Sequence, residues 1–245
     1  MTIKLIGHPG SGPTLRVSMT LKELGLPYEF EVPADRQAIK TDDFLDNKHP
    51  FGKIPVLIDG DFTINESRAI CRYLASKYQG KHNATILIPT DVHKAGLASQ
   101  CISYESFYYD PAITKIVHQE IYAKKLISQC ISYESFYSDP PLSKLVQQEI
   151  SAKKKFNKDP DQEVIKQARE ELAKVLDVYE KILEGKEYLN GEFSLADLFH
   201  TPSTHYIYSM EAHSKLWDSR PNVKNWWNRL RNRDAIKKVL DEIKS

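Results

Sequence analysis

The chain has 245 residues, of which 41% are hydrophobic and 27% charged, the composition of a folded globular protein with room for two ordinary domains. Its 34 Lys and Arg against 33 Asp and Glu leave a formal charge of +1, so no overall field draws it to nucleic acid or to an anionic membrane. The three cysteines, Cys71, Cys101 and Cys130, make neither a CxxC pair nor a Cys/His ligand spacing, which points to a reducing compartment and away from a disulfide enzyme or a metal site.

Residues 1–6 are too short and too interrupted for a signal peptide, and no apolar run approaches membrane-spanning length, so the expected location is cytoplasmic. Residues 3–6 read as a first strand and 7–13 as a turn-rich loop. Apolar residues then fall at Leu15, Val17, Met19, Leu21 and Leu24, which predicts a helix stopped by Gly25. Residues 28–32 alternate as a second strand, and the helix between the two strands leaves room for a parallel pairing. Residues 41–47 predict a short helix or an irregular segment. Val56-Leu57-Ile58, Asp59-Gly60 and residues 62–64 read as a β-hairpin, because Gly tolerates the positive φ that a tight turn demands. Pro55 opens that hairpin without a donor for the ladder, and the Ile54-Pro55 bond is a candidate for cis. Helical periodicity resumes at Ser67 and runs to about Tyr78.

Residues 81–90 read as a linker, so the expected domains are 1–80 and 91–245, the second of them all-helical. Residues 161–185 form a clean amphipathic pattern ended by Gly185. Ser194-Leu195-Ala196-Asp197 is a capping pattern, read as nucleating a helix rather than as catalysing anything. One feature is an internal repeat: residues 100–125 recur as 129–154, with 19 identities in 26 positions and a spacing of 29 residues. Two copies fit a single duplication better than a solenoid. Each copy carries an Asp-Pro, Asp110-Pro111 and Asp139-Pro140, and Pro interrupts a helix. The expectation is an extra helical protrusion or a lengthened, kinked helical hairpin.

Pro50-Phe51-Gly52-Lys53-Ile54-Pro55-Val56-Leu57, then the hairpin, then Glu66-Ser67-Arg68-Ala69-Ile70, resembles the glutathione-binding core of cytosolic glutathione transferases, most closely the phi class. Tyr188-Leu189-Asn190-Gly191, the cap at Ser194 and the Trp226-Trp227 region extend the resemblance over nearly the whole chain apart from one repeat copy. The implied fold is an α/β thioredoxin-like N-terminal domain of order βαβαββα followed by an all-α C-terminal domain. The resemblance also implies glutathione as cosubstrate, no permanently bound cofactor or metal, a homodimer, and a role in detoxification. Phe51 is then a loop aromatic inserted into a partner, or equally an anchor within its own chain.

Ser11 sits just before the first helix, where Ser is an ordinary N-cap. The resemblance gives its hydroxyl a second role, donation to the sulfur of glutathione, and Gly10 and Gly12 beside it let a ligand approach the backbone. A free thiol has a pKa of about 8.5, and lowering it by two units favours the anion by about 2.7 kcal/mol. The resemblance implies that Ile54, held by Pro55, binds the cysteinyl part through its backbone. Glu66 and Ser67 take the γ-glutamyl end, and Lys40 lies near the glycyl carboxylate. Lys53 stands where Gln is usual, and His49 stands where Asn is usual, read as a loop variation rather than a catalytic base. The implied electrophile pocket lies between the domains, with Phe107, Tyr108, Phe136 and Tyr137 as candidates, although a helical aromatic stripe also suits a core. The reaction is thiolate attack on an apolar electrophile or reduction of an organic hydroperoxide. A thiol-transferase variant would carry Cys in place of Ser11, and this chain does not. The alternative is a carrier or regulatory protein that keeps the fold without turnover.

Overall fold

The computed structural model describes residues 2–81, 85–123 and 162–242. β1 (Ile3–Ile6), β2 (Tyr28–Glu31), β3 (Val56–Asp59) and β4 (Phe62–Asn65) form one sheet in the order β2-β1-β3-β4. β1 and β2 are parallel, joined through α1 (Gly12–Glu23), as the strand–helix–strand spacing predicts. β3 runs antiparallel to β1 and β4, with Leu57 opposite Leu5 and Val56 opposite Ile6. α2 (Asp42–Asn47) and α3 (Ser67–Tyr78) complete the order βαβαββα. The hairpin turns through Gly60 and Asp61, one residue on from the Asp59-Gly60 pair; Gly60 takes φ +64° while Asp59 stays in the strand.

Side chains alternate across a strand, so β1 and β3 feed two separate clusters. Leu5 and Leu57 join Leu15, Met19, Ile70 and Leu74 of α1 and α3. Ile6 and Val56 join Ile39, Phe44 and Ile54 on the opposite face. The second cluster anchors the six-residue α2, too short to hold by propensity alone, and with it the loop that leads to Ile54. Asp59 ties the hairpin to α3, accepting from the Tyr73 and Tyr78 hydroxyls and from Lys77 Nζ at 2.7 Å each.

The stretch read as a linker is docked where it is described. Gln79 accepts from the Leu87 and Ile88 N–H groups and donates to the Ile88 carbonyl, and buried Leu87 accepts from the Leu195 N–H at 2.9 Å. α4 (Val92–Tyr104) passes into α5 (Asp110–Ala123) through a π-helical turn at Glu105–Tyr109, where the Asp110 N–H reaches the Glu105 carbonyl. Pro111 has no N–H to give, so the ladder loosens beside it; the break expected at Asp110-Pro111 takes this form. These helices use the first repeat copy. Residues 129–154, with Cys130, Phe136, Tyr137 and the expected protrusion, lie outside the described residues.

α6 (Gln162–Ile182), the single turn α7 (Leu195–Leu198), α8 (Thr201–Tyr208), α9 (Glu211–Asp218), α10 (Pro221–Arg231) and α11 (Asp234–Glu242) follow. Their core is aromatic: Tyr109, Tyr179, Phe199, Trp217, Trp226 and Trp227 are all fully buried. Ser194 and Asp197 form a reciprocal capping box at α7. Among the described residues, no helix is long and apolar enough to cross a membrane.

Candidate active site

Ser11 occupies the N-cap position of α1 with extended backbone, but its side chain does not cap the helix. The residue is fully buried, and its Oγ has no hydrogen-bond partner among the described residues. Pro13 removes one of the N–H groups that a cap would serve. An unpaired buried hydroxyl costs free energy, on the order of 1–3 kcal/mol. The loop carrying it is fixed on both sides. Gly10 N–H donates to His8 Nδ1 at 3.1 Å, and the Tyr206 hydroxyl of α8 donates to the Gly10 carbonyl at 3.1 Å.

The next expected site residues lie on the loop between α2 and β3. The Ile54-Pro55 peptide is cis. Ile54 is buried in the smaller cluster, and its backbone N–H and C=O make no hydrogen bond among the described residues. Glu66, ahead of α3, has φ +68° and a side chain 70% exposed. Its carboxyl is held below the usual range, first by His49, with Lys53 and Arg68 adding to the effect and burial opposing it. Ser67 opens α3, and its Oγ accepts from Arg16 Nη1 at 3.0 Å. That bond draws together the starts of α1 and α3, two 12-residue helices whose first N–H groups and partial positive charge favour an anion.

Positive charge gathers at the far end of the same loop. Lys40 Nζ donates to the carbonyls of Phe51 and Gly52 at 2.9 and 2.7 Å. Burial first, then Arg36 and Lys53, push Lys40 below the ordinary lysine range. Gly52 takes φ +57°, and a Cβ there would strike the Ile39 carbonyl at 2.4 Å, so only Gly brings this turn so close to Lys40.

Behind the site, Glu105 of the π-helical turn is fully buried between two guanidiniums. Arg16 Nη2 lies 3.1 Å from it, and Arg68 meets both its oxygens at 2.7–2.9 Å. Burial pushes the Glu105 carboxyl up, and both arginines oppose that. The chain Glu105–Arg16–Ser67 thus links the helical domain to the head of α3.

Ser11, Gly12, Glu66 and Ser67 thus stand at the starts of α1 and α3, and Lys53, Ile54 and Pro55 on the loop between α2 and β3, while Lys40 precedes α2 and reaches the carbonyls of that loop with its Nζ. Phe107 and Tyr108 are 73% and 60% exposed on the π-helical turn. Sequence reasoning missed Arg16, Glu105 and Tyr206. Arg16 had a signal, a charge between Leu15 and Val17 in an apolar helix; Tyr206 had none, because its contact bridges 196 positions.

A thioredoxin-like sheet domain with a buried, unpartnered serine at the start of its first helix, backed by an all-helical domain, defines a class of protein. Residues 5–82 match the N-terminal domain model of glutathione S-transferases, and residues 133–234 match the C-terminal one. Glutathione S-transferase PM239X14 of Arabidopsis thaliana is 38% identical over 93% of this chain and 90% of its own length. Glutathione S-transferase F13 of the same plant is 33% identical over 98% and 95%. The crystal structure of glutathione transferase F7 from Populus trichocarpa superposes with a TM-score of 0.78 at 34% identity, covering 99% of both chains. The chain belongs to the glutathione S-transferase family, in its phi class.

Proposed function

We propose that this transferase conjugates glutathione to apolar electrophiles with Ser11 as its catalytic residue, and that the same thiolate reduces organic hydroperoxides. The observation that carries the reading is the Ser11 Oγ, buried and unpartnered at the start of α1. Its O–H donates to the glutathione sulfur, and the α1 terminus adds positive potential, so the thiol loses its proton to solvent near neutral pH. In conjugation the thiolate lone pair forms a C–S bond while the bond from carbon to a leaving group, such as halide, breaks and takes its electron pair away. In reduction, two glutathiones give one disulfide while a hydroperoxide becomes an alcohol and water.

The remaining roles follow the groups present. Ile54 N–H and C=O hold the cysteinyl unit beside Pro55. Glu66 takes the α-ammonium, and Ser67, with Gly12 nearby, holds the γ-glutamyl carboxylate. Lys40 and Lys53 face the glycyl carboxylate. Electrophiles enter between the domains, with Phe107, Tyr108, Phe136 and Tyr137 as candidate contacts. A maize relative of 30% identity was solved with an atrazine glutathione conjugate, which supports aromatic electrophiles as the substrate class. Residues 1–80 and 91–245 are the two domains, the repeat is a duplication within the second, and the working form is a cytoplasmic homodimer.

Conjugation of a nitroaromatic halide, measured for wild type and Ser11→Ala with glutathione binding on both, tests this. Turnover that falls about a hundredfold in the variant, with binding retained, is expected. Binding without conjugation or peroxide reduction in wild type would instead make the chain a carrier.

A further inference from the structure

We propose that His49 is a positioning residue for Glu66, aiming the carboxylate that receives the α-ammonium of glutathione. The inference rests on the role given to Glu66 above and adds a residue to it.

The imidazole is buried, with 2% of the residue exposed, below a Glu66 side chain that reaches solvent. Its backbone and one ring nitrogen are already engaged. The His49 N–H donates to the Phe44 carbonyl at 2.9 Å, and the His49 carbonyl accepts from the Gly52 N–H at 2.8 Å. Nδ1 accepts from the Phe51 N–H at 3.2 Å. A neutral imidazole that accepts at Nδ1 carries its proton on Nε2. That nitrogen stands 3.7 Å from Glu66 Oε1, a gap that a small rotation of the exposed carboxylate closes to a hydrogen bond.

Glu66 has little else to direct it. Its backbone lies at φ +68°, a region that non-glycine residues seldom adopt, and its side chain makes no helix cap. Of its neighbours, the Arg68 guanidinium is committed to Glu105, and Asn65 Nδ2 to the Lys48 carbonyl at 3.0 Å. Lys53 contributes charge at longer range. With Oε1 turned to His49, Oε2 is left to receive the ammonium.

Two substitutions separate this aim from support of the loop. In His49→Asn the side-chain oxygen falls near the place of Nδ1, so the Phe51 N–H keeps an acceptor but nothing reaches Glu66. In His49→Gln the amide nitrogen falls near the place of Nε2 and donates again. Calorimetry on wild type and both variants uses glutathione and its deamino analogue, in which hydrogen replaces the α-amino group, with thermal melts to verify folding. Wild type is expected to prefer glutathione. His49→Asn is expected to weaken glutathione binding about tenfold, the scale of one hydrogen bond to a charged group. It should leave the analogue unchanged, with KM for glutathione raised and kcat within about twofold. His49→Gln should restore most of the preference. Equal binding of the two ligands by wild type, or binding of neither, removes the role of Glu66 and the proposal with it. A wild-type preference that survives in His49→Asn, or equal weakening of both ligands there, leaves Glu66 in place and overturns the role of His49.

Discussion

Two buried polar groups set the two domains of this molecule apart. At the start of α1, Ser11 is sealed from solvent with its hydroxyl unpaired. At the start of α7, Asp197 is just as buried, yet it accepts from the N–H groups of Leu189 and Ser194 at 3.0 and 3.1 Å and from Trp226 Nε1 at 2.9 Å. Beside it, His200 is closed on both nitrogens, by the Ala196 carbonyl at 2.7 Å and the Tyr179 hydroxyl at 2.9 Å. A polar group satisfied within the chain holds the fold together. One left open costs stability that a ligand can return. Asn190 Nδ2, Thr201 Oγ1, Trp217 Nε1 and Trp227 Nε1 stand open in the helical domain as well, so what sets Ser11 apart is an open hydroxyl at the head of a long helix.

Substitution should break the two sites in opposite ways. Asp197→Ala strands three buried donors at once, and we expect a loss of about 4 kcal/mol in urea unfolding with conjugation per folded molecule unchanged. Ser11→Ala should do the reverse. Its expected hundredfold loss of turnover corresponds to about 2.7 kcal/mol of transition-state stabilisation. Removing an unpaired buried hydroxyl should meanwhile raise the stability of the ligand-free protein by about 1 kcal/mol. A Ser11→Ala protein that unfolds at lower urea would mean the hydroxyl already has a structural partner.

Acid sharpens the comparison within the helical domain. Burial pushes His200 down to about 3 and Asp197 up to about 6. The unfolded imidazole takes its proton near 6.5 and the folded one does not, so His200 lowers stability as pH falls below 6.5. Asp197 acts with the opposite sign, because the folded carboxyl takes a proton near 6 and the unfolded one only near 3.8, so stability rises as pH falls through that window. Between pH 6.5 and 5 each amounts to about 1–2 kcal/mol with opposite sign, so the two largely offset. His200→Phe, whatever its absolute stability, should gain about 1–2 kcal/mol relative to wild type on going from pH 6.5 to 5, because the His200 contribution is removed. Parallel pH profiles for the two proteins would sink this assignment.

How much of this was legible follows the range over which each feature is set. The βαβαββα order and the hairpin rest on short-range pattern and turn chemistry, and the 194–197 cap on four adjacent residues, so each could be read in place. Ser11 could be placed at a helix start, but nothing local tells a capping hydroxyl from an uncapping one. That depended on the backbone around Pro13. Glu105 was not singled out within the repeat, and only the fold reveals that Arg16 and Arg68 enclose it from positions 89 and 37 residues away. How residues 85–88 dock was not legible for a similar reason: Gln79 clamps Leu87 and Ile88 by side-chain bonds that leave no mark in composition.

The repeat gives the last test, with the smallest expected effect. The first copy brings Tyr109 into the helical core, where its hydroxyl meets Thr204 and its ring stacks on Tyr179 at 5.7 Å and against His200 at 4.6 Å. The second copy has Ser138 at the matching position, and Pro141 where the first has buried Ala112. Both carry the glutamate, Glu105 or Glu134, so the ion cluster alone cannot choose between them. The aromatic stack can. Deleting residues 126–154 removes the second copy and leaves every contact described above, so we expect the unfolding midpoint to move by less than about 1 kcal/mol and conjugation to persist. Deleting 101–129 instead puts Ser138 where Tyr109 stood and should unfold at clearly lower urea. If the two deletions prove equally stable, Tyr109 does not set which copy the core accepts.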